Sequence, residues 1–355
     1  MRCFVKNLLT VALLLGASLT LHGQELVLSA DFETRFDNRE YSANDFGESL
    51  TLFGLEFTPE VGIQWAEKNR LMVGANLTHE FGDERSLSSA DLMVYYQFET
   101  PSIRVDAGIF PRSKMVGDYS EAIFDDKTTF YHDPLQGILF NYRSQTSSSY
   151  AEFLIDWEGL RTMTQREKFR ILADGRWDDG RFWAGGSLMM LHYAKTLDQS
   201  LDEGVVDNLL VNPHVGVRFG EKFSFSLRLG YLQALQRDRR TEQGWMTPKG
   251  GEFYASISRW GFTLDNKLYV GENLQPLYPL YGEELFEGST FYGVTGGLYN
   301  RTSIAYSRSF FDDTLQVDAA LVAHYDGVAV GLQQVLKIGV SLEKLFGKRG
   351  SAPQP

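Results

Sequence analysis

Apolar and polar side chains alternate along much of this chain, and the C-terminal segment shows the pattern most clearly. Its apolar residues share one parity, and three polar residues, Lys337, Ser341 and Glu343, share the other. The apolar set is Leu336, Ile338, Val340, Leu342 and Phe346. Because successive side chains of a strand point to opposite faces, this segment predicts a strand with one apolar and one polar face.

The same period-two alternation recurs in about sixteen segments of the chain. No segment shows a helical period that competes with it. The clearest examples are residues 91–98, 103–109, 150–157, 223–231, 262–270 and 315–325. The pattern therefore predicts an all-β protein.

The links between these segments alternate between short and long. The short links include 66–70, 99–102, 178–180, 220–222, 260–261 and 312–313. The long polar links are 37–49, 112–134, 158–167, 195–207, 237–251 and 271–291, and only the last outer turn, Asp326-Gly327, is short. Short periplasmic turns and long outer loops are typical of membrane β-barrels, whereas a soluble sandwich has no reason to keep this asymmetry.

These patterns predict a transmembrane, antiparallel, up-and-down β-barrel of about sixteen strands. One barrel domain takes residues 24–346, and a polar tail follows at 347–355. A terminal strand that ends on Phe346 resembles the closing strand and assembly signal of outer-membrane barrels. We therefore expect the barrel-assembly machinery to recognise this strand.

The N-terminus has the layout of a cleaved signal peptide over residues 1–23. Arg2 and Lys6 precede the largely apolar stretch from Leu8 to Leu15, and small and polar residues follow as far as Gly23. This arrangement predicts export, and with the barrel it predicts the outer membrane of a Gram-negative cell. The single cysteine, Cys3, lies within the leader, so we expect no thiol chemistry in the mature chain.

The amino-acid composition of the chain argues against several functional classes. The formal charge of −12 becomes −14 once Arg2 and Lys6 leave with the signal peptide, which argues against nucleic-acid binding. Aromatic residues make up 14% of the chain, and there are 34 glycines. We find no metal-spaced cysteine and histidine cluster and no glycine-rich phosphate loop, so we predict no cofactor and no metal.

The link 112–134 is the candidate functional segment, because loops of this length are usually functional. It resembles the third outer loop of sixteen-stranded general porins, which folds inward and narrows the pore, in position, length and acidity. Its carboxylates are Asp118, Glu121, Asp125 and Asp126, and the basic residues of inward parity are Arg35, Arg104, Arg143, Arg170, Arg176, Arg218, Arg228 and Arg301. Acid on the loop and base on the wall would make a transverse field that selects among solutes. These charges could equally pair with each other, or the acids could be solvated or bind divalent cations between lipopolysaccharides.

Three motifs carry a further resemblance. They are Phe110-Pro-Arg-Ser-Lys114; Ile155-Asp-Trp-Glu-Gly-Leu160 with Arg166-Glu167; and Asn266-Lys-Leu-Tyr-Val270 leading to Gln275-Pro-Leu-Tyr-Pro-Leu-Tyr-Gly282. With these motifs the mature chain resembles a group of outer-membrane β-barrel proteins of the Bacteroidetes type. The resemblance implies the barrel and the compartment, and it does not imply a substrate.

We therefore predict a non-enzymatic, porin-like channel for passive diffusion of small hydrophilic solutes or ions. The alternatives are an occluded barrel with a structural, adhesive or ligand-binding role, and a barrel-embedded hydrolase, for which His324 near Ser303, Ser307 or Ser341 is the constellation to examine. Expected partners are outer-membrane lipid and lipopolysaccharide. The oligomeric state stays open, a homotrimer included.

Overall fold

The structure is a computed structural model that describes residues 24–346, apart from residues 45–46, 126–129, 131–133, 242–243 and 295. The predicted signal peptide and the predicted tail lie outside these described residues. In the described part, no helix has the length and apolar character needed to cross a bilayer.

Sixteen antiparallel strands form one closed barrel in which each strand pairs with its neighbours in sequence. The strands are β1 Gln24–Glu40, β2 Leu50–Trp65, β3 Asn69–Glu80, β4 Ser89–Glu99, β5 Ile103–Phe110, β6 Leu135–Arg143, β7 Tyr150–Gly159, β8 Lys168–Asp178, β9 Phe182–Tyr193, β10 Val206–Phe219, β11 Ser224–Asp238, β12 Lys249–Arg259, β13 Phe262–Gly271, β14 Leu298–Phe310, β15 Leu315–Tyr325 and β16 Val330–Phe346. This architecture confirms the predicted fold class.

Helical segments are short and lie in the connections. A four-residue α-helix, α1, spans Tyr278–Tyr281, and 3-10 turns span Arg112–Lys114, Arg239–Thr241, Gly282–Glu284 and Thr290–Gly293. Four of these five segments belong to two outer connections, which we call L3 (residues 111–134) and L7 (residues 272–297).

The first and last strands close the barrel. β1 pairs with β16 from Leu26 opposite Phe346 to Glu40 opposite Leu332. The predicted link 37–49 places the end of β1 at Phe36, but the strand continues for four more residues. Asp37 to Arg39 pair with both β16 and β2, and Glu40 pairs with β16 alone. Closure leaves no sheet edge with unpaired backbone groups, which is the condition for a sheet to span a bilayer.

The two faces of the strands differ as the alternation predicts. Large apolar side chains such as Leu229, Ile304 and Leu321 are exposed on the outer surface, where lipid covers them in a membrane. Polar side chains such as Asn212 and Glu252 are buried in the lumen. An apolar outer band around a polar interior is the pattern of a transmembrane β-barrel.

The inner turns are tight for a local conformational reason. In the link between β12 and β13, Trp260 and Gly261 both have positive φ, of 55° and 85°. Two consecutive left-handed residues give a two-residue hairpin turn that matches the twist of the strands. The outer side also has one link that was absent from the predicted long links, residues 81–88 between β3 and β4.

Gly137 on β6 is needed because a neighbouring backbone passes too close for any side chain. A Cβ at Gly137 would collide with the carbonyl oxygen of Ile155 on β7, whereas a Cβ at Gly251 on β12 would meet nothing within 4 Å. We expect Gly137→Ala to lower the free energy of unfolding by more than about 1 kcal/mol, because an overfilled site forces the backbone apart. Gly251→Ala, the matched control, should be neutral or slightly stabilising. Denaturant unfolding in detergent checks both, and equal stability of the two variants would contradict this account of Gly137.

Candidate functional site

L3 turns into the lumen directly after β5. Phe110 is fully buried, and the 3-10 turn Arg112–Lys114 carries the chain inward. The backbone N–H groups of Val116 and Gly117 then donate to the carboxylate of Glu152 on β7, at 2.5 and 3.2 Å. A buried loop must satisfy its own backbone donors, so this wall carboxylate fastens L3 inside the barrel.

Two further bonds extend the attachment. The N–H of Asp118 donates to Oδ1 of Asp174 on β8 at 3.2 Å, and the hydroxyl of Tyr119 donates to Glu152 at 2.9 Å. Burial, followed by the neighbouring Glu152 carboxylate, raises the pKa of Tyr119. The hydroxyl therefore stays protonated and remains a donor to Glu152.

The predicted loop carboxylates meet basic residues of the wall at two points. Asp118, about half exposed, lies 3.5 Å from Arg228 and 3.8 Å from Arg176. Glu121 lies 3.1 Å from Lys267 and 3.5 Å from Arg301. The acids of L3 are therefore in contact with the wall and do not face it across an open gap.

Glu121 is held in its charged form. Burial raises the pKa of this carboxyl, but Lys267 and then Arg301 outweigh burial and hold the pKa well below its usual range. The carboxylate consequently stays ionised at neutral pH.

Not all predicted arginines reach L3. Arg176, Arg228 and Arg301 contact its carboxylates. Arg170 reaches L3 through Phe124, with its guanidinium 5.3 Å from the ring centre, and it binds the carboxylates of Glu158 and Glu287. Arg35, Arg104 and Arg218 pair with Asp37, Asp106 and Asp178 of the wall, and Arg143 is exposed at the end of β6 next to an inner turn.

L7 is the component that sequence reasoning missed, because it was taken as an ordinary outer loop. It folds into the lumen beside L3, and the N–H of Asp125 donates to the backbone carbonyl of Glu287 at 3.0 Å, while the N–H of Ser289 donates to the backbone carbonyl of Glu121 at 2.8 Å. Asp126, the fourth predicted carboxylate, lies outside the described residues.

A small apolar core joins the two loops to the wall. Ala122 and Ile123 of L3 are buried in the same cluster as Leu274, Leu285 and Phe286 of L7. The wall contributes Met189, Leu191, Leu210, Leu232 and Ala234. Apolar side chains in a link that should face water were the signal that could have identified L7.

Wall side chains also satisfy the backbone of L7. The amides of Asn208 and Gln236 donate to the carbonyls of Leu285 and Leu274, at 2.9 and 2.8 Å. The hydroxyl of Tyr292 donates to Glu252 at 2.6 Å. L7 is therefore anchored to β10, β11 and β12.

The two loops leave an outer and an inner cavity near β1, and a further cavity of about 690 Å³ lies at the outer ends of β7 and β8, lined by Glu158, Lys168 and Glu287. The outer one, about 670 Å³, lies towards the outer loops and includes Tyr41, Arg301 and His324 in its lining. The inner one, about 940 Å³, opens towards the periplasmic turns. Both the outer and the inner cavity are lined by Glu121 and Asp125, so these two residues of L3 lie between the two cavities.

Lys267 is the basic wall residue that the prediction omitted, since only arginines of inward parity were considered. It lines the inner cavity and makes the shortest ion pair of Glu121. Its parity on β13 was visible in the sequence.

The hydrolase alternative depends on His324, and both of its ring nitrogens have hydrogen-bond partners. The hydroxyl of Tyr299 lies 2.8 Å from Nδ1 of His324, and Oε1 of Gln333 lies 3.0 Å from Nε2. Gln333 donates its own N–H to Asp37, so its oxygen accepts from Nε2 and Nδ1 is left to accept from Tyr299. In the described part of the chain, no serine hydroxyl bonds to a histidine, and no group of three acidic, histidine or cysteine side chains is placed to hold a metal ion.

The chain resembles known proteins at the level of a sequence family and at the level of the fold. A family model described as lipid A 3'-O-deacylase-type matches residues 20–331. No curated protein matches the chain.

Solved structures share the fold at low sequence identity. OccAB2 of Acinetobacter baumannii has a TM-score of 0.51 at 9% identity, over 90% of this chain and 98% of that one. OccK9 (OpdG) of Pseudomonas aeruginosa has a TM-score of 0.50 at 9% identity, over 90% and 98%. A doubly substituted OccD1 (OprD) gives 0.50 at 9% identity, over 91% and 96%. This likeness concerns the fold alone.

The ion pairs of Glu121 predict a particular pH dependence of stability. Because its folded pKa is lowered, its stabilising contribution is complete above the unfolded value of about 4.3 and is lost as the pH falls through the folded pKa. Glu121→Gln should therefore destabilise the barrel by a constant amount from pH 7 to about pH 5, and by less and less below that.

Unfolding of both proteins across this pH series is the measurement. Glu221→Gln, in an exposed inner turn, is the matched control and should change little at any pH. A destabilisation by Glu121→Gln that already declines between pH 7 and 5 would show that Lys267 and Arg301 do not hold the carboxylate ionised.

Proposed function

Although this chain belongs to the lipid A 3'-O-deacylase-type family, we propose that it works as a porin-like channel through which small hydrophilic solutes or ions diffuse passively. One observation carries the proposal: the outer and inner cavities are both lined by Glu121 and Asp125 of L3. A solute that passes from one cavity to the other passes these carboxylates. L3 is then the constriction.

Selection among solutes at L3 depends on the shape of the passage and on the electric field of its fixed charges. Glu121 forms ion pairs with Lys267 and Arg301, and Asp118 with Arg228, so acids and bases lie side by side along the route. Fixed charges in a narrow passage discriminate among ions and polar solutes. The apolar core between L3 and L7 fills part of the lumen, which confines the route to the polar remainder.

The attachment of L3 supports a permanent narrowing. Its backbone is bonded to Glu152 and Asp174 of the wall and to Glu287 of L7. A loop held by several buried bonds at once keeps its position during permeation.

The proposal extends to compartment and partners. Residues 1–23 act as a cleaved signal peptide, the apolar outer band contacts lipid and lipopolysaccharide, and β16 with its terminal Phe346 is recognised by the barrel-assembly machinery. Small hydrophilic solutes are the cargo. The outward-facing alternation of β16 and the short inner turns are what support this placement.

Lipid A deacylation is the second candidate, because the description of the family names it. A hydrolase needs a nucleophile that is activated by a neighbouring base. Both ring nitrogens of His324 are already engaged by Tyr299 and Gln333. This engagement favours the channel.

Removal of the constriction should enlarge the pore. Replacing residues 116–124 of L3 by a short Gly-Ser linker should raise single-channel conductance several-fold in a planar bilayer, because the acids and the apolar plug of L3 leave the lumen. Deletion of residues 197–202, in the outer link between β9 and β10, is the control and should leave conductance unchanged. Wild-type protein that is folded yet never conducts, or an L3 variant with wild-type conductance, would overturn the proposal.

An enzymatic assay separates the two candidates. We expect purified, folded protein incubated with lipid A to release no 3'-O-linked acyl chain, as measured by mass spectrometry of the lipid. His324→Gln is the accompanying variant. Acyl release by the wild type that is lost in this variant would replace the channel by the deacylase.

A further inference from the structure

The inner cavity carries a row of carboxylates on β1 and β2 that the constriction does not use. Asp31, Glu33, Glu56 and Glu60 all line this cavity. Glu33 lies directly opposite Glu56 in the register of the two strands. Like charges directly opposite each other destabilise a sheet, and either a proton on one of the two side chains or a cation between them relieves the repulsion.

In the described part of the chain, basic residues of the same cavity form no ion pair with Asp31, Glu33 or Glu56, whereas the charge of Lys114 acts on Glu60 from a greater distance. Arg104 pairs with Asp106 at 2.7 Å, and Lys114 lies 3.5 Å from the amide oxygen of Gln97. Lys337 of β16 also lines the cavity. Within the described ranges, no lysine or arginine nitrogen forms an ion pair with any of the four carboxylates.

Asn76 on β3 provides an independent indication of a ligand. Its Nδ2 donates to Oε1 of Glu56 at 3.2 Å, and the hydroxyl of Thr58 donates to the same oxygen at 3.3 Å. Asn76 is only 5% exposed and lines the cavity, yet its Oδ1 accepts no hydrogen bond. A buried acceptor without a donor is costly, so an N–H or O–H group of a bound molecule would stabilise this oxygen.

The spacing of these acceptors decides the class of ligand. Asp31 and Glu33 are two residues apart on one strand, which separates them by about 6.8 Å. Across the described residues, no three such side chains converge closely enough to hold a metal ion. An elongated molecule with a cationic N–H donor at each end matches the row better than a compact ion does.

We propose that the row Asp31, Glu33 and Glu56, together with Asn76, binds linear diamines on the inner side of the constriction. One ammonium group lies between Glu33 and Glu56 and donates to Oδ1 of Asn76, and the other lies near Asp31. This inference rests on the proposed channel, since it makes diamines a preferred class of solute.

Isothermal titration of the folded, detergent-solubilised protein with putrescine tests the site. We expect saturable binding that is at least tenfold weaker in the double variant Glu33→Gln, Glu56→Gln. The matched control, Glu221→Gln with Asp312→Asn, removes the same charge from exposed inner turns and should bind as the wild type does. Equal affinity in all three proteins would overturn the proposal.

Two comparison ligands define the class. n-Butylamine, which has one ammonium group, should bind at least tenfold more weakly than putrescine, and Mg²⁺ should compete poorly. Monoamine binding as tight as diamine binding, or displacement of putrescine by equimolar Mg²⁺, would contradict a diamine site.

These experiments distinguish an effect on binding from an effect on folding or on conduction. The double variant should unfold at the same or a higher denaturant concentration than the wild type, because the Glu33 and Glu56 repulsion is removed; a lower midpoint would contradict the like-charge argument. Titration does not require an open pore. Binding by a barrel that never conducts would remove the channel and keep the site, and conduction without binding would remove the site alone.

Discussion

Backbone hydrogen bonding is the constraint on which this structure depends, because a bilayer offers no water to an unpaired sheet edge. The pairing of β1 with β16 over fifteen residue pairs removes that edge. Sixteen strands, however, enclose a lumen that side chains alone fill poorly. Closure of the sheet therefore leaves a lumen that must be filled, and two outer connections fill part of it by folding inward.

L3 and L7 enter the lumen under the same rule that governs the strands. Each brings backbone groups into a site with little water, and the wall supplies partners at fixed positions: Glu152 for L3, and Asn208 and Gln236 for L7. Their apolar side chains then bury one another against β9 to β11. The interior is consequently a folded unit, with a polar surface that lines the cavities.

Sequence alone predicted the part of this structure that is periodic. The alternation along β16 and the short inner turns defined the barrel, and the length and acidity of L3 marked it as the candidate constriction. The inward course of L7 was missed, because period-two patterns describe strands and not how a connection packs. Parity placed Arg170 on the inner wall correctly, but only the fold of L7 brings Glu287 to it, so in the described part of the chain its charge is paired with Glu287 and not with a carboxylate of L3. The constriction itself stays a prediction.

The lumen is asymmetric around its axis, with a solid side and a hollow side. The apolar core of L3 and L7 includes side chains of β9 to β11, whereas the outer and inner cavities lie mostly against β1 and the strands near it. Substitutions on the solid side disturb packing and with it the fold. Substitutions on the hollow side change mainly what the cavity presents to a solute. The barrel thus separates the residues that keep it folded from those that can diversify, so the lining along β1 and β2 can change without loss of the scaffold.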